Sequence, residues 1–141
     1  MAVVHQSAAL LIHYHAATAV LEAEWRGFVN SEQLRAGFQE LLRQGRRRRV
    51  RGWVANHKQM RTLRPDDQEW MLTNFIPHMA ELPIVRLGLV YSDDPLNRMA
   101  IKRIIGSCAE VLPCQIQFFS EARQAQQWVS EGAAHALPQL P

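Results

Sequence analysis

The sequence predicts a single α/β domain: an N-terminal antiparallel hairpin, then β-α units, with about five mostly parallel strands and about four helices. Two apolar runs joined by a short turn open the chain and predict the hairpin. Three later apolar runs are separated by segments of helical spacing, an alternation that calls for parallel neighbours and right-handed crossovers. At 141 residues, 48% hydrophobic and 21% charged, the chain is long enough to bury one core without staples.

The first two strands are read as Leu10 to Tyr14 and Ala19 to Trp25. In the second, Leu21, Ala23 and Trp25 share one face and Glu22 and Glu24 the other. Ser31 is read as the N-cap of a first helix whose stripe is Leu34, Phe38, Leu41 and Leu42, ending near Gly45. A third strand, Val50 to Ala55, runs into a polar loop from Asn56 to Thr62. Pro65, with Asp66 and Asp67 in the first turn, opens a second helix with the stripe Leu72, Phe75, Ile76 and Met79, and Pro77 should kink or shorten its end. Ile84 to Tyr91, nearly all apolar, reads as an inner strand covered on both faces. Asp94 and Pro95 start a third helix with the stripe Ile101, Ile104, Ile105, Cys108 and Leu112. Cys114 to Phe119 suits an edge strand, and Ser120 caps a last helix through Ala125, Trp128 and Val129. The domain is expected to span 1–131, with 132–141, rich in Ala and Pro, as a frayed tail.

This layout resembles the STAS-like superfamily, which contains the bacterial anti-sigma-factor antagonists, and within it a branch of small uncharacterised bacterial proteins. The resemblance rests on Trp25-Arg26-Gly27-Phe28 before the first helix, on Trp53 through Met60-Arg61, on Arg64-Pro65-Asp66-Asp67-Gln68-Glu69-Trp70, and on Phe118-Phe119 before the terminal helix. It covers most of residues 8 to 131 and implies a regulatory role through partner-protein binding. Antagonists of that superfamily are switched by phosphorylation of a Ser or Thr in the loop before the second helix. The corresponding stretch here, Asn56 to Gln59, holds no hydroxyl, and Thr62 is the nearest one.

In a mainly parallel sheet the loops after the second, third and fourth strands lie along one edge, where ligands of open α/β sheets bind. That edge is expected to gather Asn56, His57, Lys58, Arg61 and Arg64 with Ser92, Asp93 and Asn97. Helix N-termini converging there favour anions, while Asp66, Asp67, Asp93 and Asp94 oppose them. Trp70 falls off the apolar stripe of its helix, so it either faces outward as an anchor for a partner or packs under the loop. The expected function is therefore a non-enzymatic binding module that docks a partner protein or a small anionic ligand at the loop after the third strand.

Two rival readings remain at this stage. Arg43, Arg46, Arg47, Arg48, Arg49 and Arg51 crowd into nine positions, leaving ten Lys and Arg against thirteen Asp and Glu elsewhere. Such a patch can neutralise nucleic-acid phosphates, but it carries no aromatic platform. A small enzyme using His57 with Asp93 is the other. No Gly-x-Ser-x-Gly, His-Glu-x-x-His, phosphate-loop or dinucleotide pattern occurs, so no catalytic residue and no cofactor are assigned. His13 and His15 face the same side of their strand and, with Glu22 or Glu24 across the hairpin, could ligate zinc, but spacing fixes no third ligand. Cys108 and Cys114 match no metal or redox spacing. With no secretory leader or membrane span in view, cytoplasmic residence is expected, and the unpaired hairpin edge suits homodimerisation.

Overall fold

Six strands form one sheet in the order in which the chain makes them: β1 (Ala2–Gln6), β2 (Leu10–His15), β3 (Val20–Gly27), β4 (Gly52–Met60), β5 (Arg86–Val90) and β6 (Gln115–Phe119). This computed structural model describes residues 1–136. The β1–β2 and β2–β3 pairs are antiparallel, and the β3–β4, β4–β5 and β5–β6 pairs are parallel. The α/β architecture read from the sequence is present, with one strand more than expected. That strand, β1, is a short edge with no residue fully buried, so little periodicity announces it. It pairs with β2, and the free edge of the sheet on this side is β1.

Helix α1 (Ser31–Arg48) connects β3 to β4, and α3 (Pro95–Cys108) connects β5 to β6. Between β4 and β5 lies α2, made of Pro65–Trp70, a π-helical stretch Met71–Phe75, and Ile76–Met79. Each parallel connection steps one strand in the same direction, which places right-handed crossovers on one face. The packing agrees. Leu34, Phe38 and Leu41 of α1, Phe75 and Ile76 of α2, and Ile101 and Ile104 of α3 share a core with Leu21, Trp25, Trp53, Leu87 and Leu89 of the sheet. The opposite face is covered by α4 (Ala122–Ala136), whose Ala125, Val129 and Ala133 pack on Val20, Val54 and Val90. Close approach of α4 needs bare backbone below it: a Cβ on Gly52 would lie 2.5 Å from Val129, and one on Gly88 2.9 Å.

Several boundaries differ from the sequence reading for physical reasons. Asn30, not Ser31, caps α1, in a reciprocal capping box with Gln33, while the Ser31 hydroxyl donates to Asp67. The helix passes through Gly45, which packs against Leu82 and Trp53, and stops at Arg49 in the left-handed region. The buried stripe of α2 uses Met71 rather than Leu72, because the π turn advances the helix face. That stretch ends where Pro77 sits in the first turn of the next helical segment, a position where its missing N–H costs least. Helix α4 continues through Ala136 with Ala133 fully buried, so residues 132–136 are helix rather than tail. The remaining stretch expected to fray, 137–141, lies outside the described residues. No helix among the described residues is long and apolar enough to cross a membrane.

Candidate functional site

Strand β4 runs five residues further than its apolar portion, to Met60, and this decides where the expected site residues go. Asn56 and His57 are not in a loop. They alternate across the sheet: Asn56 faces the α4 side and His57 the interior beneath α2 and α3. The Asn56 amide nitrogen donates to Glu22 on β3 at 3.4 Å, and its oxygen accepts from the Lys58 amide at 3.1 Å. His57 borders a cavity of about 40 Å³ walled by Trp53, Phe75, Ile101 and Ile104, and its Nδ1 has no partner among the described residues. Burial alone pushes its pKa down to about 4, so the ring is neutral. The His57–Asp93 acid-base couple is absent: Asp93 is an exposed carboxylate paired with Lys58.

The rim itself forms where β4 and β5 end. The Asp93 amide donates to the Lys58 carbonyl at 3.1 Å. The Ser92 hydroxyl donates to the Met60 carbonyl at 2.6 Å and accepts from the Asp94 amide at 2.9 Å. Asn97, fully buried, donates to the Arg61 carbonyl at 2.8 Å. Thr62 donates to Asp94, whose other oxygen caps α3 by accepting from Leu96; the Leu96 amide first, with the Thr62 hydroxyl and the Asn97 amide, holds the Asp94 carboxyl below its usual range. Ser92 and Asn97 therefore staple the exit of β4 to the start of α3, and the buried Asn97 Oδ1 has no hydrogen-bond partner among the described residues.

Lys58 reaches the surface at this corner with its charge. Its ammonium lies 3.5 Å from both Asp93 and Glu121 and 3.3 Å from the Ser120 carbonyl. Around it opens a depression of about 450 Å³ lined also by Tyr91, Arg98 and Lys102. The Arg98 guanidinium donates to the Ser92 carbonyl at 2.8 Å, and the Lys102 ammonium stands 5.3 Å over the Tyr91 ring. On the other flank of α3, Leu96 and Met99 are 59% and 68% exposed, edging an apolar groove shared with Leu63, Pro65 and Arg103. Arg61 and Arg64 are exposed beside it. Trp70 is half-buried and packs on the α1 side, 6.2 Å from Phe38 with Arg35 over its ring.

Arg98, Lys102, Leu96 and Met99 were not among the residues singled out from the sequence. Their signal is negative: once Ile101, Ile104 and Cys108 define the buried stripe, Leu96 and Met99 fall outside it.

The arginine run lies at the far end of β4, where seven residue steps of extended chain separate Arg51 from Lys58 by roughly 23 Å. Three of its members are engaged locally: Arg43 with Glu40, Arg46 with His78, and Arg48 with Gln44 and the Tyr14 ring.

On the α4 side of the hairpin, His13 Nε2 stands 3.2 Å from Glu24 Oε1, and donor atoms of His13, Glu22 and Glu24 all lie within 4.8 Å of one another. His15 stands outside this group. Cys108 is a buried free thiol and Cys114 a half-buried one.

No family model, no curated protein and no solved structure matches this chain.

Proposed function

We propose that the protein is a binding module that takes an acidic, partly apolar partner segment across the N-terminal half of α3. Support comes from one arrangement above all: Lys58, Arg98 and Lys102 gather on one flank of that helix while Leu96 and Met99 stand exposed on the other. Apolar side chains exposed in this way on a capped, well-anchored helix suit a contact surface, and the cations around them suit carboxylates or a phosphate. Parallel strands ending beneath this corner are the usual setting for ligand contact in an open α/β sheet. The STAS-like resemblance points the same way, to partner binding. Neither the neutral, enclosed His57 nor the rim offers a nucleophile with a base, so the reading is of a binder rather than an enzyme.

The test is an amide-shift titration of isotope-labelled protein with a peptide alternating Glu and Leu, and separately with inorganic phosphate. Shifts at Lys58, Ser92, Leu96, Met99 and Lys102 are the expected result, and their loss in Met99→Asp separates apolar contact from charge alone. Shifts confined to Arg46, Arg47 and Arg49 would move the function to the arginine run.

A further inference from the structure

We infer that His13, Glu22 and Glu24 form a binding site for one borderline divalent transition cation of the zinc class, on the face of the sheet opposite the three crossover helices. This goes beyond the binding reading of the rim and does not depend on it.

The strand register builds the site. In β2–β3, His13 is paired directly with Glu22, and Glu24 lies two residues further along the same face. Three donors from two hydrogen-bonded strands need no loop to hold them. The 3.2 Å between His13 Nε2 and Glu24 Oε1 is close to the edge of roughly 3.4 Å expected between two donors about 2.1 Å from a tetrahedral zinc. A cation would replace the direct contact between these two atoms.

The side chains lack other satisfaction. His13 is nine-tenths buried, with its Nδ1 unpartnered and its Nε2 turned into the cluster. Glu22 is 8% exposed, and among the described residues its one side-chain hydrogen-bond partner is the Asn56 amide at 3.4 Å, a long bond for a carboxylate. A buried carboxylate with so weak a partner is costly unless a cation completes it.

The surroundings fit as well. Arg26 bonds the other oxygen of Glu24, Oε2, through both Nε and a terminal nitrogen, leaving Oε1 to face His13. It therefore orients the ligand as an outer-shell partner, as Asn56 does for Glu22. The two carboxylates and Arg26 sum to one negative charge, which a divalent cation converts to one positive. Glu24 and Asn56 also line a polar cleft of about 140 Å³ with Lys58, Gln59 and Glu121, so solvent reaches the Glu24 side of the cluster.

The experiment titrates zinc chloride into untagged, metal-free protein by calorimetry, with cobalt(II) absorption reporting geometry. One equivalent is expected to bind, with a tetrahedral cobalt spectrum. His13→Gln and Glu22→Gln are each expected to weaken binding at least a hundredfold, Asn56→Ala about tenfold, and His5→Gln not at all. Circular dichroism of each variant shows whether it is folded. Should His13→Gln not fold, the carbon shifts of the His13 ring in the wild-type protein and the binding of Glu24→Gln decide instead. Absence of binding at millimolar zinc, no change at the His13 ring, or unchanged affinity in folded His13→Gln would each overturn the site.

Discussion

Lys58 and Asp93 are joined twice, by the Asp93 amide donating to the Lys58 carbonyl at 3.1 Å and by the Lys58 ammonium 3.5 Å from the Asp93 carboxylate. The backbone bond fixes the corner; the side-chain pair is exposed and contributes about 0–1 kcal/mol. Removing the ammonium should therefore spare the fold. Lys58→Ala with Lys102→Ala is expected to leave the thermal midpoint within a few degrees of wild type and to weaken binding of the acidic peptide at least tenfold. Asp93→Asn, which removes the competing carboxylate, is expected to strengthen it several-fold. Calorimetric titration beside thermal melts checks both.

Two glycines on different helices should respond in opposite directions to the same substitution. A Cβ on Gly37 of α1 would run into the ring of Trp25, which is 1% exposed and packed on Phe38. A rigid, enclosed indole cannot give way cheaply, so Gly37→Ala is expected to cost about 1–3 kcal/mol despite the better helix former. Gly106 of α3 meets nothing within 4 Å, and Gly106→Ala is expected to add about 0.5–1 kcal/mol. Urea unfolding of the two variants measures the contrast.

How far such features are legible in the sequence depends on whether a residue's neighbours lie near it in the chain. The apolar runs of β2, β3, β5 and β6 and the Asp94-Pro95 start of α3 are local signals, and the structure contains those elements. The end of β4 was not legible, because Asn56-His57-Lys58-Gln59 is polar throughout and reads as loop. Its polarity reflects what two of its side chains meet: Glu22 across the strands for Asn56, and Glu121 and Asp93 for Lys58. The zinc-class cluster was half legible. His13 and the alternation of Glu22 with Glu24 are visible in the chain, but the register that pairs His13 with Glu22 depends on where the turn from His15 to Val20 closes. Residues Ala16 to Ala19 make that turn with Ala19 at a positive φ of 56°, a conformation that no glycine advertises.

Glu22 should oppose folding of the metal-free protein at neutral pH. Its carboxyl carries a raised pKa through burial, so the folded state binds a proton more tightly than the unfolded chain. Stability is then lost as pH climbs through and above the ordinary carboxylate range. Glu22→Gln removes that charge while retaining an oxygen for Asn56, and is expected to stabilise the metal-free protein by about 1 kcal/mol at neutral pH. The gain should vanish below the ordinary carboxylate range, where Glu22 is neutral in both states. Paired melts at acid and neutral pH test it.

His57 acts with the opposite sign. Folding lowers its pKa from 6.5 to about 4 because the ring is enclosed beside apolar walls. Between those values the unfolded chain holds a proton that the folded one does not, so stability falls as the solution is acidified through that window and is fully present above it. The window spans about 2.5 pH units, or about 3 kcal/mol of stability. His15, lowered chiefly by burial, adds a smaller loss of the same sign. Glu22 works against both at the acid end, so the wild-type profile is a composite. His57→Leu isolates the one ring. Leucine is apolar like the surrounding wall, and the adjoining cavity of about 40 Å³ gives it room. At pH 7 the variant should match wild type within about 1 kcal/mol, and its stability should fall less steeply on acidification, by close to one proton. Urea midpoints measured at intervals between about pH 4 and pH 7.5 give both slopes. Parallel profiles would mean that the ring takes up its proton within the folded protein, and that the cavity admits enough water to solvate it.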